Sequence, residues 1–220
     1  MLQRLVHIPD GPALIEGMLE IPDQPRGIVL FAHGSGSSRH SPRNNYVAGV
    51  LREAGIGTLL MDLLTAEEDG DYKTRFDIPL LTRRLTVATQ WLAQQPEAKG
   101  LPIGYFGAST GAAAALQAAA KMGKAVAAVV SRGGRPDLAG GVALRQVVAP
   151  TLLIVGSLDD VVIELNRAAF EVMTCEKELR IVPGASHLFE EPGTLEEVAR
   201  LATDWFLRHL LLQLGNPHAL

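Results

Sequence analysis

The sequence has little cysteine, no long apolar run and no large excess of charge of either sign. Cys175 is the single cysteine among 220 residues, which excludes an internal disulfide framework and a cysteine-based zinc site in this chain. No apolar run reaches the 18 or so residues of a membrane-spanning helix. The net charge is only −4, so the basic surface typical of nucleic-acid-binding proteins is not predicted.

The first segment also lacks the layout of a signal peptide, because Asp10, Gly11 and Pro12 interrupt it before an apolar core can form. We therefore expect a cytoplasmic protein with no membrane or nucleic-acid partner. The chain is 47% hydrophobic and 20% charged, a balance that predicts one compact domain over residues 1–220. The sequence leaves the oligomeric state open.

The order of predicted elements is two strands followed by a regular alternation of strands and helices. Residues 13–21, "ALIEGMLEI", alternate apolar and polar as a half-buried strand does, and Asp10-Gly11 predicts a hairpin that pairs this strand with residues 2–8. Short apolar runs then predict strands at 27–33, 57–62, 101–107, 125–131, 150–156 and 178–182. Helices are predicted near 42–54, 78–95, 110–122, 137–146, 161–174 and 194–213.

Two of these helices carry recognisable start signals. Asp77 is the expected N-cap of the helix at 78, and Thr194 with Glu197 three residues later fits a capping box. Right-handed crossovers between the strands predict a doubly wound, mostly parallel α/β sheet of eight strands with helices on both faces. Ligands of such sheets bind beyond the carboxyl ends of the strands.

A serine stands between two glycines at one of these strand ends. Gly107-Ala108-Ser109-Thr110-Gly111 fits G-x-S-x-G, a sharp strand-to-helix turn that exposes the serine hydroxyl as a nucleophile. The alternative is a serine that only caps the alanine-rich helix behind it.

A serine hydroxyl needs a neighbouring base, and the elbow predicts the chain order serine, acid, histidine. Asp159 and Asp160 follow the strand at 150–156, and His187 follows the last strand. Spacing does not separate the two aspartates, since either could orient His187 while the other caps the next helix. The alternative for His187 is a loop histidine without a catalytic role. We expect His7, His209 and His218 at the surface.

The loop "HGSGSS", residues 33–38, supplies the glycines that let a backbone approach a substrate carbonyl. An oxyanion hole would use the N–H of Thr110 and one N–H from this loop. The glycine-rich fingerprints of nucleotide-binding loops are not matched here. Arginines follow several strand ends, and we take Arg39 and Arg132 as candidates for binding an anionic substrate. The alternative is that such arginines pair with carboxylates such as Asp77 and Asp137.

"HGSGSS", "GASTG", "LLIVGSLDDVV" and "PGASHLF" together resemble the α/β-hydrolase superfamily over essentially the whole chain. The compact size is similar to that of its dienelactone hydrolase-like branch, although dienelactone hydrolase itself has cysteine where this chain has Ser109. The resemblance implies Asp159 as the acid, through Gly-x-x-Asp-x-x-Val, and Ser35 as the second oxyanion donor. Because only residues 131–149 separate two strands where relatives often insert a lid, no lid domain is expected.

From this pattern we predict a serine hydrolase of carboxylic esters that acts on a small acyl substrate and needs no metal or organic cofactor. Ser109 is the predicted nucleophile, His187 the base, Asp159 the orienting acid, and Ser35 and Thr110 the oxyanion donors. Thioesterase, lactonase and peptidase activities would use the same residues. A non-catalytic binding protein on the same fold is the alternative from another class.

Overall fold

The sheet has eight strands and sets the position of every other element. The computed structural model describes residues 1–214. Its strands are β1 (Leu2–Asp10), β2 (Ala13–Ile21), β3 (Ile28–Ala32), β4 (Gly57–Met61), β5 (Ile103–Ala108), β6 (Val126–Arg132), β7 (Thr151–Gly156) and β8 (Lys177–Val182). They lie in the order β1-β2-β4-β3-β5-β6-β7-β8. β1 and β2 form an antiparallel hairpin, β2 is antiparallel to β4, and β3 to β8 are parallel.

Helices cover both faces of this sheet. They are α1 (Pro42–Glu53), α2 (Ala66–Asp69), α3 (Ile78–Ala93), α4 (Thr110–Met122), α5 (Gly141–Gln146), α6 (Asp160–Val172) and α7 (Thr194–Leu214). One apolar core contains buried side chains of α1 and α7, and the other contains those of α3, α4 and α5 together with Ala169 of α6. The predicted doubly wound, mostly parallel sheet of eight strands is therefore confirmed.

The predicted lid-free connection between β6 and β7 is also confirmed within the described part of the chain. Only a 3-10 turn at Pro136–Ala139 and the six-residue α5 lie between these strands. None of the described helices combines the length and apolar character that crossing a membrane requires.

Two local expectations for strands and loops need correction. The apolar pattern of residues 178–182 predicts a strand covered on both faces. Arg180 and Ile181 of β8 are exposed instead, because β8 is the last strand of the sheet and has a neighbour on one side only. The dense charge of residues 67–71, "EEDGD", predicts a solvated loop, yet the first residues of this segment belong to α2, where Thr65 and Glu68 form a reciprocal capping box.

The two helix-start predictions have different outcomes. Asp77 caps α3 as predicted, since its carboxylate accepts the backbone N–H of Leu80 at 3.0 Å. The capping box at Thr194 is wrong: the Thr194 hydroxyl instead donates to the Glu191 carbonyl at 2.7 Å, and Glu197 pairs with Arg200. The helix begins at Thr194 itself, and the backbone N–H of Glu197 donates to Gly193.

The parallel register aligns the carboxyl ends of neighbouring strands at one edge of the sheet. Ala32 at the end of β3 pairs with Gly107 of β5, and Ala108 of β5 pairs with Arg132 at the end of β6. Ala32, Ala108 and Arg132 are each followed directly by a loop or a turn. The loops that carry the predicted site residues therefore leave the sheet side by side.

Candidate active site

Ser109 lies at the turn between β5 and α4 in a conformation that non-glycine residues rarely adopt, with φ 51° and ψ −121°. Strained backbone of this kind is retained mostly at functional sites. The two glycines make the turn sterically feasible. A Cβ atom at Gly111 would lie 2.1 Å from the carbonyl oxygen of Ala32, and one at Gly107 would lie 2.5 Å from the Cα of Ala112.

Hydrogen bonds on both sides hold this turn in place. The N–H of Ser109 donates to the carbonyl of Arg132 at 3.2 Å, and the carbonyl of Ser109 accepts the N–H groups of Ala112 and Arg135, both at 3.1 Å. The Ser109 side chain itself makes no capping hydrogen bond to α4. The hydroxyl is therefore not used as a helix cap, which was the alternative interpretation of the motif.

The structure brings His187 together with Asp159. The distance between His187 Nδ1 and Asp159 Oδ2 is 2.6 Å. Asp159 occupies the N-cap position of α6 without capping it, because its carboxylate is turned to the histidine, whereas Asp160 is exposed in the first turn. The loops approach closely at Gly156, where a Cβ atom would lie 2.3 Å from the carbonyl oxygen of Ala185.

One cavity of about 260 Å³ contains both Ser109 and His187. Gly34 and Ser35 of the β3–α1 loop line it from one side, and a Cβ atom at Gly34 would lie only 3.1 Å from the Cβ of Ser109. The remaining lining residues are Ser37, Ser41, Arg43, Asn44, Ala108, Arg132 and Leu188. The predicted nucleophile, base and oxyanion loop thus share one concave site.

A buried histidine, His33, holds the oxyanion loop, although no sequence pattern predicts a role for it. His33 Nδ1 lies 2.9 Å from the carbonyl oxygen of Gly34, and the N–H of Leu63 donates to His33 Nε2 at 2.9 Å. Burial lowers the pKa of His33, so the ring stays neutral, accepts at Nε2 and donates from Nδ1. Only its place directly before Gly34 could have drawn attention to it in the sequence.

Ser35 and Thr110, the predicted oxyanion donors, line a second, very small cavity beside the main one. Within residues 1–214, neither of their backbone N–H groups donates to another backbone or side-chain group of the chain. The Thr110 hydroxyl is buried and also lacks a hydrogen-bond partner among the described residues. Both N–H groups are thus free to bind a ligand.

The two predicted substrate-binding arginines lie in different surroundings. Arg39 is bound by the carboxylates of Glu16 and Asp62 and does not line the main cavity. Arg132 does line it, at the end of β6. Arg43, which was not chosen from the sequence, lines the same cavity. The pairing alternative holds for Arg135, whose guanidinium lies 2.8 Å from Asp137.

Of the two described histidines expected at the surface, His7 confirms the prediction and His209 contradicts it. His7 has a half-exposed side chain near Glu16. His209 is buried, with its ring centroid 4.3 Å from that of Trp205, because it faces the sheet in the middle of α7. The prediction for His218 falls outside the described residues. Among residues that the structure describes, no cluster of three or more His, Cys, Asp or Glu side chains could hold a metal ion.

Comparison with known proteins adds two kinds of relatives. Two Mycobacterium tuberculosis proteins, each named "Putative phosphoribosyl transferase", are 62% identical over 205 residues, which are 93% of this chain and 46% of theirs. The chain thus spans about half the length of the curated relatives it matches. The crystal structure of dienelactone hydrolase from Anabaena variabilis superposes with a TM-score of 0.91 at 56% identity, covering 94% of this chain and 98% of that one.

More distant structures share the fold alone. Est1E from Butyrivibrio proteoclasticus superposes with a TM-score of 0.80 at 15% identity, covering 94% of this chain and 98% of that one.

The model of the dienelactone hydrolase family matches residues 15–210. This family match and the 56% identical Anabaena variabilis structure support a hydrolase. The chain belongs to the dienelactone hydrolase family.

Proposed function

We propose that this chain is a serine hydrolase that cleaves a carboxylic ester through Ser109, His187 and Asp159. The observation that carries the proposal is the distance of 2.6 Å between His187 Nδ1 and Asp159 Oδ2. His187 also lines the same cavity as Ser109, whose backbone is strained. A histidine oriented by a carboxylate and facing a serine is the arrangement that activates a hydroxyl for acyl transfer. Membership of a hydrolase family is consistent with this chemistry.

In the first half-reaction, Ser109 Oγ attacks the ester carbonyl and His187 Nε2 takes the serine proton. The negative charge that develops on the carbonyl oxygen is bound by the N–H groups of Ser35 and Thr110. His187 then gives its proton to the leaving alcohol, and the acyl group stays on Ser109. Asp159 accepts the Nδ1–H of His187 throughout, which keeps the Nε2 lone pair directed at the serine and stabilises the imidazolium.

In the second half-reaction, water replaces the alcohol. His187 takes a proton from water, the hydroxide attacks the acyl carbonyl, and the same two N–H groups bind the oxyanion. Collapse returns the proton to Ser109 Oγ and releases a carboxylic acid. Thioester, lactone and peptide bonds would follow the same steps. An amine must be protonated before it leaves, and an alcohol is a better leaving group, so we propose an ester and not a peptide.

The transferase name of the mycobacterial relatives does not lead to a second proposal. The matched segment is 46% of those proteins, so the part outside it is long enough to hold a separate transferase domain. Within this chain, the loop after β3 reads Gly34-Ser35-Gly36 and has an arginine, Arg39, at the position where a dinucleotide-binding loop has its third glycine.

The cytoplasmic location expected from composition stays a prediction.

The test is covalent labelling followed by turnover. A fluorophosphonate probe should modify wild-type protein at Ser109, as located by peptide mass spectrometry, and Ser109→Ala should not be labelled. We expect Ser109→Ala to lower kcat/KM for aryl esters by about 10³-fold or more. A folded wild-type protein that is neither labelled nor active on any ester of a graded acyl series would contradict the proposal and favour the binding-protein alternative.

A further inference from the structure

Arg132 is a buried cation that has no counter-charge among the residues that the structure describes. It is 8% exposed, and its Nε is buried without a hydrogen-bond partner in the part of the chain that the structure describes. Its nearest polar protein contact is a long one, 3.5 Å from Nη2 to Asn44 Oδ1, and the guanidinium lies 5.9 Å from the centre of the Phe189 ring. A guanidinium has five N–H donors, so most of its donor capacity is unused.

The pKa of Arg132 is consistent with this isolation. Burial, followed by repulsion from Arg43, lowers the pKa of the guanidinium to about 10, and no carboxylate of the described residues offsets either effect. At neutral pH the side chain is still charged. Buried charges of this kind are costly unless they are paired or bind a ligand. Because Arg132 lines the cavity of Ser109, the missing partner belongs in that cavity.

The wall beside Arg132 offers further donors for an anion. Arg43 lines the same cavity, and its carboxylate contact is Glu190, whose side chain is 64% exposed to water and therefore neutralises it weakly. Both Arg43 and Asn44 belong to the first turn of α1, a twelve-residue helix whose N-cap is Ser41. The positive end of the helix dipole points to the same place. The Ser37 and Ser41 hydroxyls complete the polar wall.

We propose that Arg132, Arg43 and the N-terminus of α1 bind a phosphoryl dianion that is part of the substrate. Two guanidiniums lie on one wall, and the exposed Glu190 neutralises Arg43 only weakly. A dianion therefore matches this wall better than the single charge of a carboxylate. The donors on this wall are the guanidinium N–H groups, the serine hydroxyls and the backbone N–H of Arg43, because Pro42 has no N–H and the Asn44 N–H is bound by Ser41. Together with the helix dipole they would surround the tetrahedral oxygens of a phosphate, as phosphate sites of proteins do.

The position of this wall defines the substrate class. It rests on the proposed function of Ser109, because the phosphate site and the nucleophile share a cavity of about 260 Å³. This volume is just below the roughly 300–1,000 Å³ typical of ligand sites. Such a volume holds a small molecule in which a phosphate group lies only a few bonds from the ester that is cleaved. The phosphate is bound and stays intact, and the ester is opened.

The first experiment measures inorganic phosphate on the full chain, at constant ionic strength, by calorimetry and as an inhibitor of a neutral aryl ester. We expect saturable binding and competitive inhibition. Arg132→Met should weaken both by about 10- to 100-fold, since it removes charge-assisted hydrogen bonds. Arg43→Gln, at a more exposed position, should weaken both in the same direction. Arg135→Met is the matched control, because Arg135 pairs with Asp137 and does not line the cavity.

The outcomes separate this inference from the proposed function. If ester turnover and Ser109 labelling are intact but phosphate neither binds nor inhibits, the phosphate site is wrong and the hydrolase stands. If phosphate binds with the expected dependence on Arg132 but Ser109 is inert, the site stands and the hydrolase is wrong. Acetate bound as tightly as phosphate, or equal losses in Arg135→Met, would overturn the assignment to a dianion at Arg132.

Discussion

At the scale of single residues, the two adjacent aspartates before α6 give the sharpest test of the triad. In Asp159→Asn the side-chain amide can donate to His187 Nδ1, which favours the tautomer with the proton on Nε2 and removes the base for Ser109. We expect kcat for aryl esters to fall by about 10³- to 10⁴-fold. The matched control is Asp160→Asn, because Asp160 is the next residue and is exposed in the first turn of α6.

Steady-state kinetics on both variants, with circular dichroism to verify folding, decides the matter. Asp160→Asn should change kcat by no more than a few-fold. If kcat falls as much or more in Asp160→Asn than in Asp159→Asn, Asp159 is not the acid that orients His187.

Residue identity and spacing alone could not separate these aspartates, because both follow β7 and either could cap α6. The resemblance to the family pattern Gly-x-x-Asp-x-x-Val favours Asp159. Its contact with His187 joins residues that are far apart in the sequence, so local spacing does not reveal it. The arginines show the same restriction. Arg39 and Arg43 stand four residues apart after the same strand, yet Glu16 and Asp62, from distant segments, occupy Arg39 and leave Arg43 to line the cavity.

At the scale of elements, the packing of α4 against the sheet depends on a glycine. A Cβ atom at Gly111 would lie 2.1 Å and 2.4 Å from the carbonyl oxygens of Ala32 and His33. Backbone atoms of a central strand cannot move aside without disturbing the elbow. We expect Gly111→Ala to lower the free energy of unfolding by about 1–3 kcal/mol and to reduce ester turnover.

The matched control is Gly49→Ala inside α1, where the nearest atom to an added Cβ would be Arg52 Nη2 at 3.9 Å. This substitution should raise the free energy of unfolding by up to about 1 kcal/mol, because alanine favours a helix interior more than glycine does. Urea denaturation of both variants measures the difference. Equal stability of Gly111→Ala and the wild type would contradict the steric role of Gly111.

Elements were predictable where one strong local signal fixed them. Apolar runs located the buried strands, and Asp77 before Ile78 marked the start of α3. The capping-box prediction at Thr194 failed because the same residue pattern occurs with and without the capping hydrogen bonds. The hydroxyl of Thr194 instead contacts the carbonyl of Glu191, and this contact depends on the preceding turn. The exposure of β8 follows from its position at the sheet edge, which the composition of a single strand does not reveal.

At the scale of the whole molecule, most of the site could be predicted from one rule: right-handed crossovers between successive strands make the strands parallel. Once the strands are parallel, their carboxyl ends lie at one edge, and residues far apart in sequence are brought to one place. Ser109, Asp159 and His187 follow three different strands of this edge. The rule does not say which of the side chains near this edge lack a hydrogen-bond partner. Among the described residues, the Arg132 Nε and the Thr110 hydroxyl are two such groups, and only the structure shows it.

The hairpin of β1 and β2 is tied to the helical layer by a buried ion cluster, and this predicts how the whole fold responds to acid. Asp10 at the hairpin turn is 7% exposed and Arg84 of α3 is 4% exposed. Arg83 Nη2 lies 2.6 Å from Asp10 Oδ1, and Arg84 also binds Glu68 at 2.5 Å. Burial of Asp10 opposes its ionisation, but hydrogen bonds and charge from the two arginines outweigh it and lower the pKa below its ordinary value of 3.8.

A lowered pKa means that ionised Asp10 stabilises the folded state. This contribution is complete above the ordinary pKa of 3.8 and is lost as the pH falls through the lower pKa of the folded state. We expect Asp10→Asn to reduce the free energy of unfolding by about 2–3 kcal/mol near neutral pH. The gap between wild type and variant should narrow as the pH falls below 3.8.

Urea denaturation of wild type and Asp10→Asn from about pH 7 to about pH 2.5 measures this gap. Asp23→Asn serves as the control, because the Asp23 side chain is 90% exposed beside the N-terminal amine and its loss should leave stability unchanged. A gap that stays constant over the whole range would show that Asp10 does not act through its charge. A gap that widens in acid would mean that burial, and not the arginines, sets the ionisation of Asp10.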